Sequence, residues 1–202
     1  MHDVGNRRGN DKMARWVFKS AVASVLVATF APANAQAPNA SLLAKQQAAM
    51  EALNFLDGEW AGPAVAFERT GAIKMTQTER VGTLLDGTVR LVEGRAFDAS
   101  GKTLFNAFAV IAYDVPRSRY VITSYASGYT TTTGLELNAN GFGWEVPAGP
   151  GAKMLFTAVV KDGVWHEVGD YVGVDGMRKR TFQMTVKRRG PSKWPAGTLV
   201  PR

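Results

Sequence analysis

The feature that most constrains this chain is a regular series of short β-prone segments separated by turn dipeptides. After residue 55, Asp-Gly, Ser-Gly and Asn-Gly pairs recur between runs rich in Val, Thr, Phe, Tyr and Trp. Such pairs favour tight hairpin turns, and β-branched and aromatic residues favour strands. Strands are predicted near residues 59–69, 72–84, 88–98, 102–114, 119–126, 129–138, 141–147, 153–161, 164–174 and 177–188. About ten strands with short loops predict an all-β, up-and-down antiparallel β-barrel.

A helix-forming stretch precedes the strands. Residues 42 to 53 consist mainly of Ala, Leu, Lys, Gln, Met and Glu, and Ser41 is a suitable N-cap. We expect this helix to cap one end of the barrel. The predicted organisation is a signal peptide with an upstream extension, a linker with the short helix, the barrel and an extended tail, at residues 1–37, 38–55, 56–189 and 190–202.

The N-terminal region has the layout of a signal peptide. Arg15 and Lys19 supply a basic region, an apolar run follows to residue 31, and small-x-small sites end at residues 35 and 37. The run is too short for a typical membrane span, so the chain is predicted to be exported to the periplasm or outside the cell, without a transmembrane segment. The sequence contains no cysteine, which excludes disulfides, thiolate metal sites and cysteine nucleophiles.

The positive net charge of +7 is concentrated at the ends of the chain. Residues 178–202 carry eight basic groups and no acidic group, including the run at 187–189. Such a run can contact an anionic surface, but a solvated strand end is its commoner role. We therefore predict no nucleic-acid partner.

Alternation along the strands predicts a polar site inside the barrel, because side chains two residues apart share a face of a sheet. In the second strand, Gln77 and Glu79 share a face with apolar residues, and in the third strand Glu93 and Arg95 do so. A segment around Tyr125 and Tyr129, with four consecutive threonines, adds rings and hydroxyls. Polar groups that converge in an apolar cavity are typical of ligand pockets, so we predict a ligand-binding site formed by Gln77, Glu79, Glu93, Arg95, Tyr125 and Tyr129.

The sequence gives less support to catalysis than to ligand binding. No nucleophile elbow, phosphate loop or dinucleotide fingerprint occurs. Several carboxylates could meet inside a barrel for glycosidase-like chemistry, although ion pairing with nearby arginines is the favoured interpretation; they are Glu79, Glu93, Glu145, Glu167 and Asp170.

His166 is the one histidine outside the predicted signal region, and nothing at metal-ligand spacing accompanies it. We predict no metal site and no cofactor. Two roles stay open for His166: it is an axial ligand of a haem, or it is a partly exposed histidine on a strand.

Two segments resemble known families. Gly58-Glu59-Trp60 after a short helix resembles the opening of calycin-type barrels, which include the lipocalins, and the stretches 108–114 and 119–125 resemble bacterial exported domains of the DUF1579 kind. The resemblance implies a calycin-like barrel in which Trp60 is structural and closes one end. Haem-binding barrels of the nitrobindin type use a histidine near the C-terminal end, which is the basis for considering His166.

The sequence thus favours an exported barrel that binds a small, partly apolar ligand. Two alternatives stay open. One is an enzyme, of lyase or isomerase type, that uses carboxylate and tyrosine groups in the barrel. The other is a structural barrel with a filled core, which forms a homodimer through the fourth strand, because that strand is apolar on both faces.

Overall fold

The structure is a computed structural model that describes residues 40–194. It contains a helix α1 (Ala40–Glu51), a short 3-10 turn (Asn54–Leu56) and ten strands. The strands are β1 (Gly58–Glu68), β2 (Gly71–Leu84), β3 (Val89–Phe97), β4 (Thr103–Asp114), β5 (Arg119–Ala126), β6 (Tyr129–Asn138), β7 (Gly141–Pro147), β8 (Lys153–Lys161), β9 (Val164–Val172) and β10 (Arg178–Gly190). The predicted signal peptide, its cleavage sites and tail residues 195–202 lie outside the described residues.

The ten strands form one closed antiparallel barrel. Each strand pairs with the next along the chain, and β1 pairs with β10 to close the sheet. The predicted all-β up-and-down barrel with one N-terminal helix is therefore confirmed. Turn glycines with positive φ, such as Gly128 at 80° and Gly163 at 73°, account for the sharp hairpins.

Helix α1 covers the end of the barrel at which β1 begins. Met50, Leu53 and Leu56 are buried there together with Trp60. The indole N–H of Trp60 donates to the Leu56 carbonyl at 2.9 Å, and the hydroxyl of Tyr120 donates to the carbonyl of Ala49 at 2.7 Å. We call this the closed end of the barrel.

A buried arginine fixes the closed end. Arg90 of β3 points inward and donates to both carboxylate oxygens of Asp57, at 2.6 and 2.8 Å. It also donates to the carbonyl of Met50 at 2.5 Å and to the side-chain oxygen of Asn54. A buried guanidinium is stable only when it is paired and hydrogen-bonded. The ion pair therefore joins the wall of the barrel to the segment that follows α1.

The outer side of β4 is partly covered by the tail. Trp194 packs edge-on against Phe108, with ring centroids 6.2 Å apart, and Arg80 lies 5.3 Å from the centre of the Trp194 ring.

Within residues 40–194, no helix combines the length and the apolar character needed to cross a membrane.

Candidate functional site

The candidate site lies on the inner face of the barrel, about halfway along β2. Alternate residues of this strand face inward, and among them Gln77 and Glu79 are 3% and 7% exposed. Register places Glu79 opposite Trp60 of β1 and Gly94 of β3, so these positions share the inner face. Buried polar groups in such a position need partners, and their hydrogen bonds therefore define the site.

The amide of Gln77 is only half satisfied. Its Nε2 donates to Oε1 of Glu79 at 2.6 Å. Its Oε1 is buried and has no hydrogen-bond partner among the described residues, and it is the one buried side-chain polar atom there in this condition. Turning the amide by 180° would leave the N–H₂ group unpaired instead. One polar group of Gln77 is thus available to a further partner.

Gly94 makes room for these side chains. A Cβ atom added at Gly94 would lie 2.9 Å from both carboxylate oxygens of Glu79 and 3.3 Å from Nε2 of Gln77. Any larger residue would therefore displace the polar pair. The glycine is part of the site because it lets two polar side chains lie against the wall of the barrel.

A second buried carboxyl group comes from β9. Glu167 is 6% exposed, and its Oε2 accepts a hydrogen bond from the indole N–H of Trp165 at 3.2 Å. Its neighbours across the sheet are Ala158 and Met184, which carry no charge. The two glutamates are close enough for the charge of Glu167 to act on Glu79.

Burial favours the protonated form of both carboxyl groups. Burial raises the pKa of Glu167 to about 8. Burial is also the main reason why the pKa of Glu79 lies well above its usual range, and repulsion from Glu167 adds to it, while the hydrogen bond from Gln77 opposes it. Two neutral acids can donate hydrogen bonds, and each can become a carboxylate when a positive charge approaches.

Aromatic side chains form the apolar wall beside these acids. The rings of Trp60 and Trp165 meet edge to face at 5.8 Å. Phe142 contacts Trp165 at 5.7 Å and stacks on Trp144 at 5.6 Å, and Trp144 stacks on Phe156 at 4.7 Å. Such a wall suits an apolar or aromatic ligand body.

The barrel is open at the end away from α1. Three large apolar side chains with inner-face register, Ile73, Phe105 and Tyr171, are each about 40% exposed. Further inside, Ala109 and Ser124 face inward and are only half-buried. Solvent therefore reaches the inner face from this end, which we call the open rim.

The predicted placement of Glu93 and Arg95 on the inner face is wrong. They lie opposite Arg80 and Thr78 and share the outer face. Glu93 accepts hydrogen bonds from Nε of Arg80 at 3.1 Å and from Nε of Arg95 at 2.9 Å, and these ion pairs lower its pKa, chiefly through Arg80. The inner positions of β3 belong to residues such as Gly94, so Glu93 and Arg95 do not join Gln77 and Glu79.

The two predicted tyrosines also lie apart from the buried pair. Tyr125 is on the outer face, opposite Phe108 with ring centroids 6.1 Å apart. Tyr129 follows the turn formed by Ser127 and Gly128 and is 77% exposed. With Glu93, both tyrosines line an outer groove of about 480 Å³ that Trp194 also borders. The structure thus divides the predicted site between the inside and the outside of the barrel.

His166 lies on the outer face of β9, where it pairs in register with Val159 and Thr185. Its Nδ1 is 2.9 Å from the hydroxyl oxygen of Thr185, and the side chain is exposed. It does not face the interior, so it cannot ligate a haem held there. Within residues 40–194, no group of three His, Cys, Asp or Glu residues is placed to hold a metal ion.

Two functional features were missed at the sequence level. Glu167 was included among the scattered carboxylates but not in the site, although it alternates with Trp165 and Tyr171 along β9. The pairing of Arg90 with Asp57 has no local signal in the sequence, because the two residues are far apart along the chain.

Comparisons with known proteins give the fold and no more. No protein-family model and no curated protein matches the chain. Among solved structures, the chain is similar to Rv2717c from M. tuberculosis, seen in a crystal structure, with a TM-score of 0.54 and 12% sequence identity. The match covers 70% of this chain and 97% of that chain. The DUF1579-like and calycin-type resemblances stay predictions, and the barrel fold is what this chain shares with a solved structure.

Proposed function

We propose that the protein is an exported barrel that takes a small, partly apolar ligand through its open rim. The supporting observation is the unpaired Oε1 of Gln77, buried beside Glu79. An unsatisfied buried polar atom costs about 1–3 kcal/mol, and a hydrogen-bond donor on a ligand would remove that cost. The aromatic wall and the half-buried inner face supply the apolar surroundings that ligand sites usually have.

Export is the second part of the proposal. It is supported by the basic region, apolar run and small-x-small sites of residues 13–37. The absence of cysteine is consistent with a barrel that depends on its core, rather than on disulfides, for stability.

A probe-binding experiment tests whether the interior takes up a ligand. Nile red, a neutral dye that fluoresces in apolar sites, is titrated into the wild type and into Ala109→Trp, which fills the inner face. Val159→Trp is the matched control, because Val159 is exposed on the outer face. The proposal expects Ala109→Trp to weaken binding by about tenfold or more and Val159→Trp to leave it unchanged.

Ser124→Leu is a second filling variant, for use if the tryptophan prevents folding, because Ser124 is half-buried beside Ala109 on the inner face. No saturable binding by the wild type, or equal binding by a folded interior-filling variant, would contradict the proposal. If the interior binds Nile red, native mass spectrometry of protein purified from its own host would identify the natural ligand that the barrel retains.

An enzyme is a second candidate, and one observation favours it. Glu167 has a pKa of about 8, which suits a general acid that works near neutral pH. The test is turnover of the molecule identified by mass spectrometry. Glu167→Gln should abolish turnover if Glu167 transfers a proton, whereas binding with no turnover by the wild type would exclude this candidate for that molecule.

A further inference from the structure

We propose that the interior of the barrel selects a small organic cation, namely a primary or secondary ammonium group on an apolar body. This inference rests on the proposed function and names the ligand class for the same site. Its basis is geometric. Gln77, whose Oε1 is unpaired, donates to Glu79, which lies opposite Trp60 in register. The Trp60 ring meets the Trp165 ring at 5.8 Å, and Trp165 donates to Glu167.

The charge pattern of the interior favours a cation. The side chains opposite Glu79 and Glu167 in neighbouring strands are uncharged: Trp60 and Gly94 flank the first, and Ala158 and Met184 the second. The inward-facing Arg90 lies at the closed end, where Asp57 neutralises it. Tyr113 and Tyr120 also face inward near that end. Arg188 of β10 lies 4.1 Å from the centre of the Trp60 ring, but it is exposed and donates to the carbonyls of Phe55 and Asp57 at the closed end. Both cations near the inner face are thus already bound at the closed end, away from the two glutamates.

Glu93 is the other charged group that acts on Glu79. It lies on the outer face, where Arg80 and Arg95 pair with it. Arg80 and Arg95 therefore do not pair with Glu79 or Glu167, and a positively charged ligand could do so.

The hydrogen-bonding inventory fits an ammonium group. A primary ammonium has three N–H donors and no acceptor. The site presents the unpaired Oε1 of Gln77 and the carboxyl oxygens of Glu79 and Glu167. With the amide of Gln77 oriented as in the structure, the free Oε1 accepts a hydrogen bond, so the site should prefer N–H-bearing cations over quaternary ones.

The aromatic wall makes an organic cation a better candidate than a bare metal ion. The perpendicular rings of Trp60 and Trp165 stand beside the two glutamates. Indole faces attract cations, and the guanidinium of Arg188 already lies 4.1 Å from the centre of the Trp60 ring. Ca²⁺ takes six to eight oxygen ligands, whereas the two carboxyl groups and the amide oxygen supply five at most.

Binding should be coupled to proton release. Before a cation enters, Glu167 holds its proton near neutral pH because burial raises its pKa to about 8, and burial likewise favours the protonated form of Glu79. When the cation enters, a carboxyl O–H bond breaks, the proton leaves to solvent and the carboxylate pairs with the ammonium ion. The charge entering the barrel is thus balanced by the charge leaving it.

The test compares three probes of equal chain length: hexylammonium, hexanol and hexanoate. Each competes with Nile red on the wild type, and calorimetry in buffers of different ionisation enthalpy counts the protons released. We expect hexylammonium to bind at least about tenfold more tightly than hexanol or hexanoate. We also expect it to bind more tightly than hexyltrimethylammonium and to release protons at pH 7.

The variants Glu79→Gln and Glu167→Gln keep the shape of the side chains and remove the ionisable groups. Each should reduce hexylammonium affinity about tenfold or more while Nile red binding changes less than about twofold. Glu145→Gln is the matched control, because Glu145 is exposed and paired with Lys153 on the outer face, and it should behave like the wild type.

The outcomes separate the two proposals. If Nile red binds but hexanol or hexanoate binds as tightly as hexylammonium, or if both Glu→Gln variants retain hexylammonium binding, the cation inference is overturned and the ligand-binding function stands. If neither Nile red nor any hexyl probe binds, both the cation inference and the ligand-binding function are contradicted.

Discussion

Replacing Glu167 with glutamine should change how the stability of the barrel depends on pH. Burial raises the pKa of Glu167 from 4.5 to about 8. Between these values the folded protein holds a proton that the unfolded chain has lost, so the free energy of unfolding falls as the pH rises. Each pKa unit corresponds to about 1.4 kcal/mol, so this carboxyl group removes up to roughly 5 kcal/mol of stability across that window.

Glu167→Gln removes the titrating group but retains an oxygen that can accept the hydrogen bond from Trp165. We therefore expect the variant to lose much less stability with rising pH and to become more stable than the wild type above about pH 8. Urea unfolding at several values between about pH 5 and pH 9 measures this directly.

Glu145→Gln provides the control, since Glu145 is exposed and ion-paired with Lys153. It should keep the pH dependence of the wild type. Parallel stability curves for the wild type and Glu167→Gln from pH 5 to pH 9 would refute the reasoning, because they would mean that Glu167 is already ionised in the folded barrel.

Three further predictions concern the closed end and the N-terminus. Trp60→Ala should lower the free energy of unfolding by roughly 3–5 kcal/mol, because it empties a fully buried site. Arg90→Met should cost about 1–3 kcal/mol, because it leaves the buried carbonyl of Met50 without its donor, whereas the Asp57 carboxylate is 37% exposed and reaches water; denaturant unfolding measures both. Intact-mass measurement of exported protein should give an N-terminus at Gln36 or Pro38, after the small-x-small sites.

Each of these has a control or a contradicting result. Trp194→Ala, on the outer face, and Arg117→Met, in an exposed ion pair, should each change stability by less than about 1 kcal/mol. A melting temperature of Trp60→Ala equal to that of the wild type would show that Trp60 does not support the closed end. Arg90→Met behaving like Arg117→Met would show that the contacts of the buried Arg90 contribute nothing. Soluble mature protein that retains residues 13–35 would contradict export.

The sequence predicted the barrel well because its turns are encoded locally. Turn dipeptides such as Asp162-Gly163, whose glycine has a φ of 73°, fix hairpins with short loops, and β5 to β8 have the predicted bounds. Closure by pairing of β1 with β10 follows when all ten strands pair in order. These features depend on neighbours in the chain, which a single sequence displays.

The inner face of β3 could not be identified in the same way. Its outer positions include Leu91 and Phe97, which look like core residues, whereas its inner positions include Arg90 and Gly94. Arg90 is accommodated inside because Asp57, from a distant segment, pairs with it. Apolar alternation therefore selects the wrong face wherever a buried charge depends on a long-range partner.

The buried acids were only half predicted for a related reason. Gln77 and Glu79 lie in one strand, so alternation places them together, and they are buried as expected. Glu167 comes from β9, which is separated from β2 by β1 and β10 in the barrel. Its interaction with Glu79 follows from the pairing of β1 with β10, which brings β9 near β2. The pattern of a single strand does not show which distant strand will lie nearby.

The most direct test of ligand uptake inside the barrel is an NMR titration of assigned protein with Nile red. The account predicts saturable chemical-shift changes at the inward-facing Ala109 and Ser124, with little change at Val159 and Thr132 on the outer face. The largest changes around Tyr125 and Trp194, which border the outer groove, would contradict it.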